Sequence, residues 1–259
     1  MRIALGIEYD GSRFSGWQRQ PHALGVQQVL EEALSKVADH PIAVVCAGRT
    51  DAGVHATAQV VHFDTDAERD ARAWMLGTTC KLPAEVCVTW AQQVSDEFHA
   101  RFSAIGRQYR YVILNRQVRP ALLHERVSCE FRPLDAARMV EAARNLVGRH
   151  DFSSFRAQGC QAKNPERDVY ALDIQRHGEY ITLDIAANAF LHHMVRNIAG
   201  TLMAVGRGDR PVEWVKDVLE ARDRNIAGIT ASAAGLYLVQ VRYPEQFAVP
   251  QGVRLPGFG

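Results

Sequence analysis

The sequence predicts an α+β fold, on three observations. Residues 2–9 alternate in polarity, with Ile3, Leu5, Ile7 and Tyr9 on one side, the period of a half-buried strand. Val26, Val29, Leu30, Ala33, Leu34 and Val37 recur at helical spacing instead. The two kinds of segment follow one another in the order β-α-β-β-α-β, and that order returns in the second half of the chain.

Each later element has its own signal. Strand-like pieces flank a polar turn around Asp51, the second of them being Ala58-Gln59-Val60-Val61-His62-Phe63. A helix near residues 71–80 and a strand over 86–94 complete the first half. In the second, a strand covers 107–114, a helix runs over 135–147 and ends at Gly148, and two strands follow around 169–176 and 180–186. A helix over 190–205 and another opening at Pro211, a residue favoured in the first helical turn, precede a closing strand at 236–242. The natural reading is two ferredoxin-like halves, residues 1–104 and 105–259, with the boundary near 102–106. No sequence repeat links them, so their symmetry would be structural only.

Composition narrows the function classes. With 259 residues and 47% apolar content, the chain has the material for real cores. No apolar run approaches the ~20 residues of a membrane span. Met1-Arg2-Ile3-Ala4-Leu5-Gly6 passes directly into alternating strand with no signal-peptide core, so a cytoplasmic protein is expected. Cys46, Cys80, Cys87, Cys129 and Cys160 are odd in number and scattered, without a CxxC pair, and are expected to be reduced packing residues. A formal charge of +1 does not point to nucleic acid. Its distribution is more telling: residues 101–150 hold ten arginines against four acids, whereas residues 51–100 hold three bases against eight acids. The arginine-rich stretch offers phosphate contacts, although arginines at helical spacing also serve simply to face water.

The most informative stretch is Cys46-Ala47-Gly48-Arg49-Thr50-Asp51-Ala52-Gly53-Val54-His55-Ala56. It sets one carboxylate between glycines on a tight polar turn joining strand-like segments, a usual place for a scaffold to hold a functional group. Composition alone favours a structural turn, since Thr and Asp before Gly often only cap backbone donors. His55 and His62, seven apart with Asp64 nearby, have no third ligand at a recognised spacing, and no metal is expected.

The wording of that turn, Gly48-Arg49-Thr50-Asp51-x-Gly53-Val54-His55-Ala56, resembles the catalytic motif of the tRNA pseudouridine synthase A family. The resemblance continues through Tyr9-Asp10-Gly11, Gly16-Trp17-Gln18-x-Gln20, Arg101-Phe102, Arg107-Gln108-Tyr109-Arg110-Tyr111, His150-Asp151-Phe152, the run from Asn188 to Asn197, and Ala234-Gly235-Leu236-Tyr237-Leu238. One departure is Ala58, where the family often carries glycine. The resemblance implies the pseudouridine synthase fold, in which two ferredoxin-like halves share a largely antiparallel sheet with a central cleft. It also implies Asp51 as the essential residue, isomerisation of uridines in the anticodon stem-loop at tRNA positions 38, 39 and 40, no cofactor, and a homodimer that embraces the tRNA.

Forming pseudouridine breaks the N1–C1′ bond, turns the uracil and joins C5 to C1′, without redox change or hydrolysis. The protein must supply a nucleophile or base near the ribose, a pocket for the detached uracil, and a means of extracting the nucleotide from its stack. Asp51 answers the first demand, and three routes stay open to it: attack at C1′, proton handling around a glycal-like intermediate, or addition at C6. Arg196 is, by resemblance, the cation that favours its charged form. The helix over 190–205 carries an apolar stripe of Leu191, Met194, Val195, Ile198, Leu202 and Val205, leaving His193, Arg196, Asn197 and Gly200 on the other face, and such a polar stripe usually meets only water. Tyr109 answers the second demand by stacking on the uracil, although Tyr111 shares its strand face and a plain core pair fits the same spacing. Leu236 closes the pocket by resemblance, against the general rule that a strand leucine is core. Arg49 answers the third, filling the space of the extruded nucleotide and holding its phosphate, or else pinning its own loop.

Two other classes fit parts of the sequence. A non-catalytic RNA-binding protein on the same halves would use the basic segment alone. A glycosidase-type hydrolase would also direct Asp51 at an anomeric carbon, but it needs a second carboxylate as general acid, and none stands at an evident position.

Overall fold

The computed structural model describes residues 1–257 of the chain and shows an α+β architecture with mostly antiparallel strands. Its elements are β1 (Arg2–Tyr9), α1 (Val26–Ala38), β2 (Val45–Cys46), β3 (His55–Asp64), β4 (Val86–Val94), β5 (Gly106–Asn115), β6 (Ser128–Glu130), α2 (Ala136–Ala143), β7 (Gly148–Asp151), β8 (Glu166–His177), β9 (Tyr180–Ala187), α3 (Met194–Gly206), α4 (Trp214–Ala221) and β10 (Leu236–Arg242). They group into two compact units, Met1–Arg107 with the residues from Tyr237 onward, and Gln108–Leu236.

In the first unit β1 lies between β3 and β4, antiparallel to both. The outer edge of β3 is shared: β2 pairs antiparallel with its end, at Val61 and His62, and β10 runs parallel to its start, with Tyr237 opposite His55 and Leu238 opposite Ala56. The chain between β2 and β3 is the Asp51 turn. β1 is not half-buried as its alternation suggests. Ala4 and Gly6 on the second face are covered as well. Gly6 leaves room for the Trp90 ring, since a Cβ there would lie 2.0 Å from the indole nitrogen. The expected helix near 71–80 forms with a π-helical middle, Ala73–Gly77, which buries Trp74 edge-on against Phe63, ring centroids 5.2 Å apart.

In the second unit β7, β8 and β9 form an antiparallel meander, β5 lies beside β9, and the short β6 runs parallel to β5. Asp135 is the cap of α2 and not its first residue: its carboxylate accepts the N–H groups of Ala137 and Arg138. The helix proper ends at Ala143, and a 3₁₀ turn carries the chain to Leu146. α3 starts four residues later than its apolar spacing suggests because His193 adopts φ 61°, and α4 begins at Trp214, beyond Pro211. β6 and β7 hold three and four residues, too few to show alternation.

The expected division at residue 104 falls short of the observed change of unit, and the C-terminal residues join the first unit, not the second. The reason is local. Beyond β10, the Tyr243 hydroxyl donates to Ala100 O (2.7 Å), and the rings of Tyr243 and Phe247 pack on Phe98 at 5.0 and 5.3 Å.

Candidate active site

The turn that presents Asp51 is over-determined. Ala47 opens it, its N–H donating to Val60 O (2.8 Å), and Val54 closes it with an N–H to Asp51 O (3.1 Å). From below, the Tyr9 and Thr50 hydroxyls share a buried hydrogen bond of 2.8 Å. Gln59, 0% exposed, donates from Nε2 to Gly48 O at 2.7 Å. From the side, the segment after β1 lies against the turn: Trp17 N–H donates to Thr50 O (3.0 Å) and Gly53 N–H to Phe14 O (3.3 Å). Two glycines make that approach possible. Gly16 has φ 91°, and a Cβ on it would lie 2.8 Å from Thr50 O; one on Gly11 would lie 1.9 Å from Val54 O. Arg107 adds a guanidinium bond from Nη2 to Ala47 O (3.0 Å). Thr50 is buried in this frame, Asp51 is half-buried and Arg49 is exposed. A half-buried carboxylate on a turn braced at several backbone groups, with a cation two residues before it, can attack or exchange protons with a bound polar substrate.

His55 and His62 each have structural partners. His55 is buried, its Nδ1 receives the Gly11 N–H at 3.0 Å with Asp10 Oδ1 3.2 Å away, and its ring stacks on Tyr237 at 4.6 Å. His62 Nδ1 accepts the Ala100 N–H (3.1 Å), and burial, helped by His99 and Arg2, lowers its pKa to about 4. All five cysteines are thiols. Cys80 and Cys129 are exposed, contrary to the expectation of packing residues, whereas burial pushes the Cys46 thiol up to about 11.

The second unit holds the remaining predicted residues. Tyr109 is 9% exposed and meets Phe190 edge-on at 5.0 Å. Tyr111 is the fully buried one of the pair; its hydroxyl donates to Ser232 O at 2.8 Å, and burial raises its pKa far above the phenol range. Leu236 is buried at the start of β10. Arg196 is half-buried and donates from Nε to Ala231 O (2.9 Å), while its own carbonyl accepts the Ala231 N–H. Asn197 and Gly200 of the polar stripe of α3 therefore do not face water. They are covered by the irregular chain at residues 224–231: Asn197 Oδ1 accepts from Thr230 Oγ1 (2.7 Å) and Arg224 Nη2 (3.1 Å), and its Nδ2 donates to Phe155 O (2.8 Å). A Cβ on Gly200 would lie 1.8 Å from Ile229 O. The signal was present in the stripe itself, where the uncharged Asn197 and the side-chain-free Gly200 mark a face approached closely by backbone.

The arginine-rich segment is less available than its count suggests. Arg110 pairs with Asp184 (2.6 Å), Arg116 with Glu179 (3.3 Å), Arg132 with Glu130 (3.3 Å) and Arg149 with Glu166 (2.9 Å). Among the described residues, no helix is long and apolar enough to cross a membrane.

A profile of tRNA pseudouridine synthases matches residues 6–103 and 142–244. The chain belongs to the tRNA pseudouridine synthase family. Relatives named tRNA pseudouridine synthase A agree over nearly the full length. The protein from Aeromonas hydrophila is 59% identical over 251 residues, 97% of this chain and 93% of its own. That from Pseudomonas aeruginosa is 58% identical over 258 residues, 99% and 90% of the two chains, and that from Nitrosococcus oceani 58% over 251 residues, 97% of each. A solved chain from a Cbf5-Nop10-Gar1 complex covers 91% of this chain and 48% of its own at 11% identity and TM-score 0.37, a likeness too slight to carry an argument. In this tRNA pseudouridine synthase Tyr9, Gly11, Gly16 and Arg107 each hold the Asp51 turn. Gln59 does the same work and was not singled out by sequence, because a glutamine in an alternating strand gives no sign of being buried.

Proposed function

We propose that this enzyme isomerises uridine to pseudouridine in tRNA, in the anticodon stem-loop at positions 38, 39 and 40, with Asp51 as nucleophile. The observation that carries the reading is the Asp51 turn, braced by Tyr9, Gln59 and residues 11–17, so that the backbone bearing one carboxylate is held in place. Bond accounting is consistent with a single carboxylate. The N1–C1′ bond breaks, the C5–C1′ bond forms, C5 gives up its proton and N1 gains one, so no external acid, oxidant or cofactor enters.

Tyr109 stacks on the extruded uracil, Arg196 stabilises the charged form of Asp51, Leu236 closes the pocket and Arg49 takes the place of the departed nucleotide. These roles rest on the positions of the residues within the family motifs. The enzyme works in the cytoplasm as a homodimer that grips one tRNA from two sides, which is how a chain of formal charge +1 assembles enough cations to hold RNA.

The test is release of tritium from tRNA labelled at C5 of uridine, without added metal or nucleotide, beside Asp51→Ala. Release by the wild type, falling by at least about three orders of magnitude in the variant, is expected. Tight tRNA binding with no release by the wild type would instead identify a non-catalytic RNA-binding protein.

A further inference from the structure

The loop between β4 and β5 carries a large apolar side chain in the open: Phe102 is 76% exposed. It is nevertheless well seated. One face of the ring lies on the His99 imidazole, centroids 4.4 Å apart and planes 28° from parallel, and the Arg101 guanidinium stands 5.6 Å from the ring centroid. The imidazole is itself fixed. Its Nδ1 accepts the N–H groups of Arg101 (3.2 Å) and Phe102 (3.1 Å), and its ring lies 4.8 Å from that of His62. A lone exposed phenylalanine is ordinary, but one prestacked on a hydrogen-bonded imidazole is a built surface.

That surface is tied to the Asp51 turn within the same unit. The Arg107 guanidinium donates to Ala47 O, where the turn opens, and also to Arg101 O (2.9 Å) and Ala104 O (3.2 Å) in the loop. The chemistry of the patch is a flat π face with a guanidinium at its rim. A protein partner would call for a broader apolar area, whereas a nucleotide offers a matching base plane and a phosphate together.

We propose that Phe102, prestacked on His99 and flanked by Arg101, is a stacking platform for an unpaired nucleotide of the RNA substrate near the uridine delivered to Asp51. Arg101 takes the phosphate of that nucleotide. The proposal rests on the tRNA-modifying function above, and assigns a substrate-positioning role outside the proposed chemical residues.

The experiment compares KM and kcat for tRNA among wild type, Phe102→Ala, Phe102→Leu and Phe102→Trp, with light scattering and thermal unfolding on each. Leucine keeps the apolar bulk but cannot stack, and tryptophan can. Alanine and leucine should each raise KM at least about five-fold, with kcat and unfolding midpoint little moved, and tryptophan should restore KM. Leucine equal to wild type would overturn stacking, as would alanine with unchanged KM. Loss of assembled mass in step with activity would assign the ring to a second copy of the chain and also overturn it. A wild type that releases no tritium would fail the functional reading, separately from any effect at Phe102.

Discussion

Thr50 precedes the proposed nucleophile, and its hydroxyl is engaged with Tyr9 in a buried 2.8 Å hydrogen bond. Thr50→Val keeps the shape of the side chain and removes the 2.8 Å partner of the Tyr9 hydroxyl. It should destabilise the protein by about 1–3 kcal/mol in chemical denaturation and lower kcat more than it raises KM, because what it loosens is the aim of Asp51. His62 sets a pH dependence. In the fold its imidazole stays neutral down to about pH 4, since burial, His99 and Arg2 oppose the charge and Asp64 only partly offsets them, whereas the unfolded side chain protonates near 6.5. The unfolded state therefore binds the extra proton between these values. The stability that His62 contributes is complete above about pH 6.5 and is lost as pH falls through about 4, up to about 3 kcal/mol. His62→Gln, which retains an acceptor for the Ala100 N–H, should flatten the fall of the denaturation midpoint over that window.

At the level of elements, α3 is held by more than its apolar stripe. Asn197→Ala would leave Thr230 and Arg224 without their shared acceptor and the Phe155 carbonyl without its donor. A loss of about 2–3 kcal/mol is expected, with hydrogen exchange rising first at residues 224–231. Sequence could not reveal this, because periodicity identifies an apolar face but does not say whether the polar face meets water or an irregular chain. The same division of what was legible recurs elsewhere. β1, β4 and β10 were readable to the residue, since continuous apolar or alternating runs bounded by turns leave little freedom in placing them. β6 and β7 were not, being made by pairing with neighbours and not by pattern. Of the candidate site, the Asp51 turn could be read from its own wording, but the brace of Gln59 and Arg107 could not, because both act through backbone carbonyls distant in sequence. The arginine excess overstates the open charge for a related reason: composition counts charges, and Asp184 or Glu166 offsets some of them only in space.

At the scale of the whole molecule, the first unit is discontinuous in sequence and the second is not. Tyr243→Ala should separate the two. It removes a buried ring from the Phe98 cluster and the hydroxyl bond to Ala100, at a cost of about 3–5 kcal/mol. Hydrogen exchange should quicken in β3 and β4 while β8 and β9 keep their protection, and uniform loss over both units would show that they unfold as one. The discontinuity also has a meaning in time. Synthesis runs from the N terminus, so β5 to β9 are all made before β10 exists. Until then β3 keeps an open edge at His55 and Ala56, immediately after the Asp51 turn, and such an edge is a template for the wrong strand. The turn that carries the proposed nucleophile thus waits on one of the last strands to be made, which places a folding risk beside Asp51 and makes the moment of chain release the point at which a chaperone has most to protect.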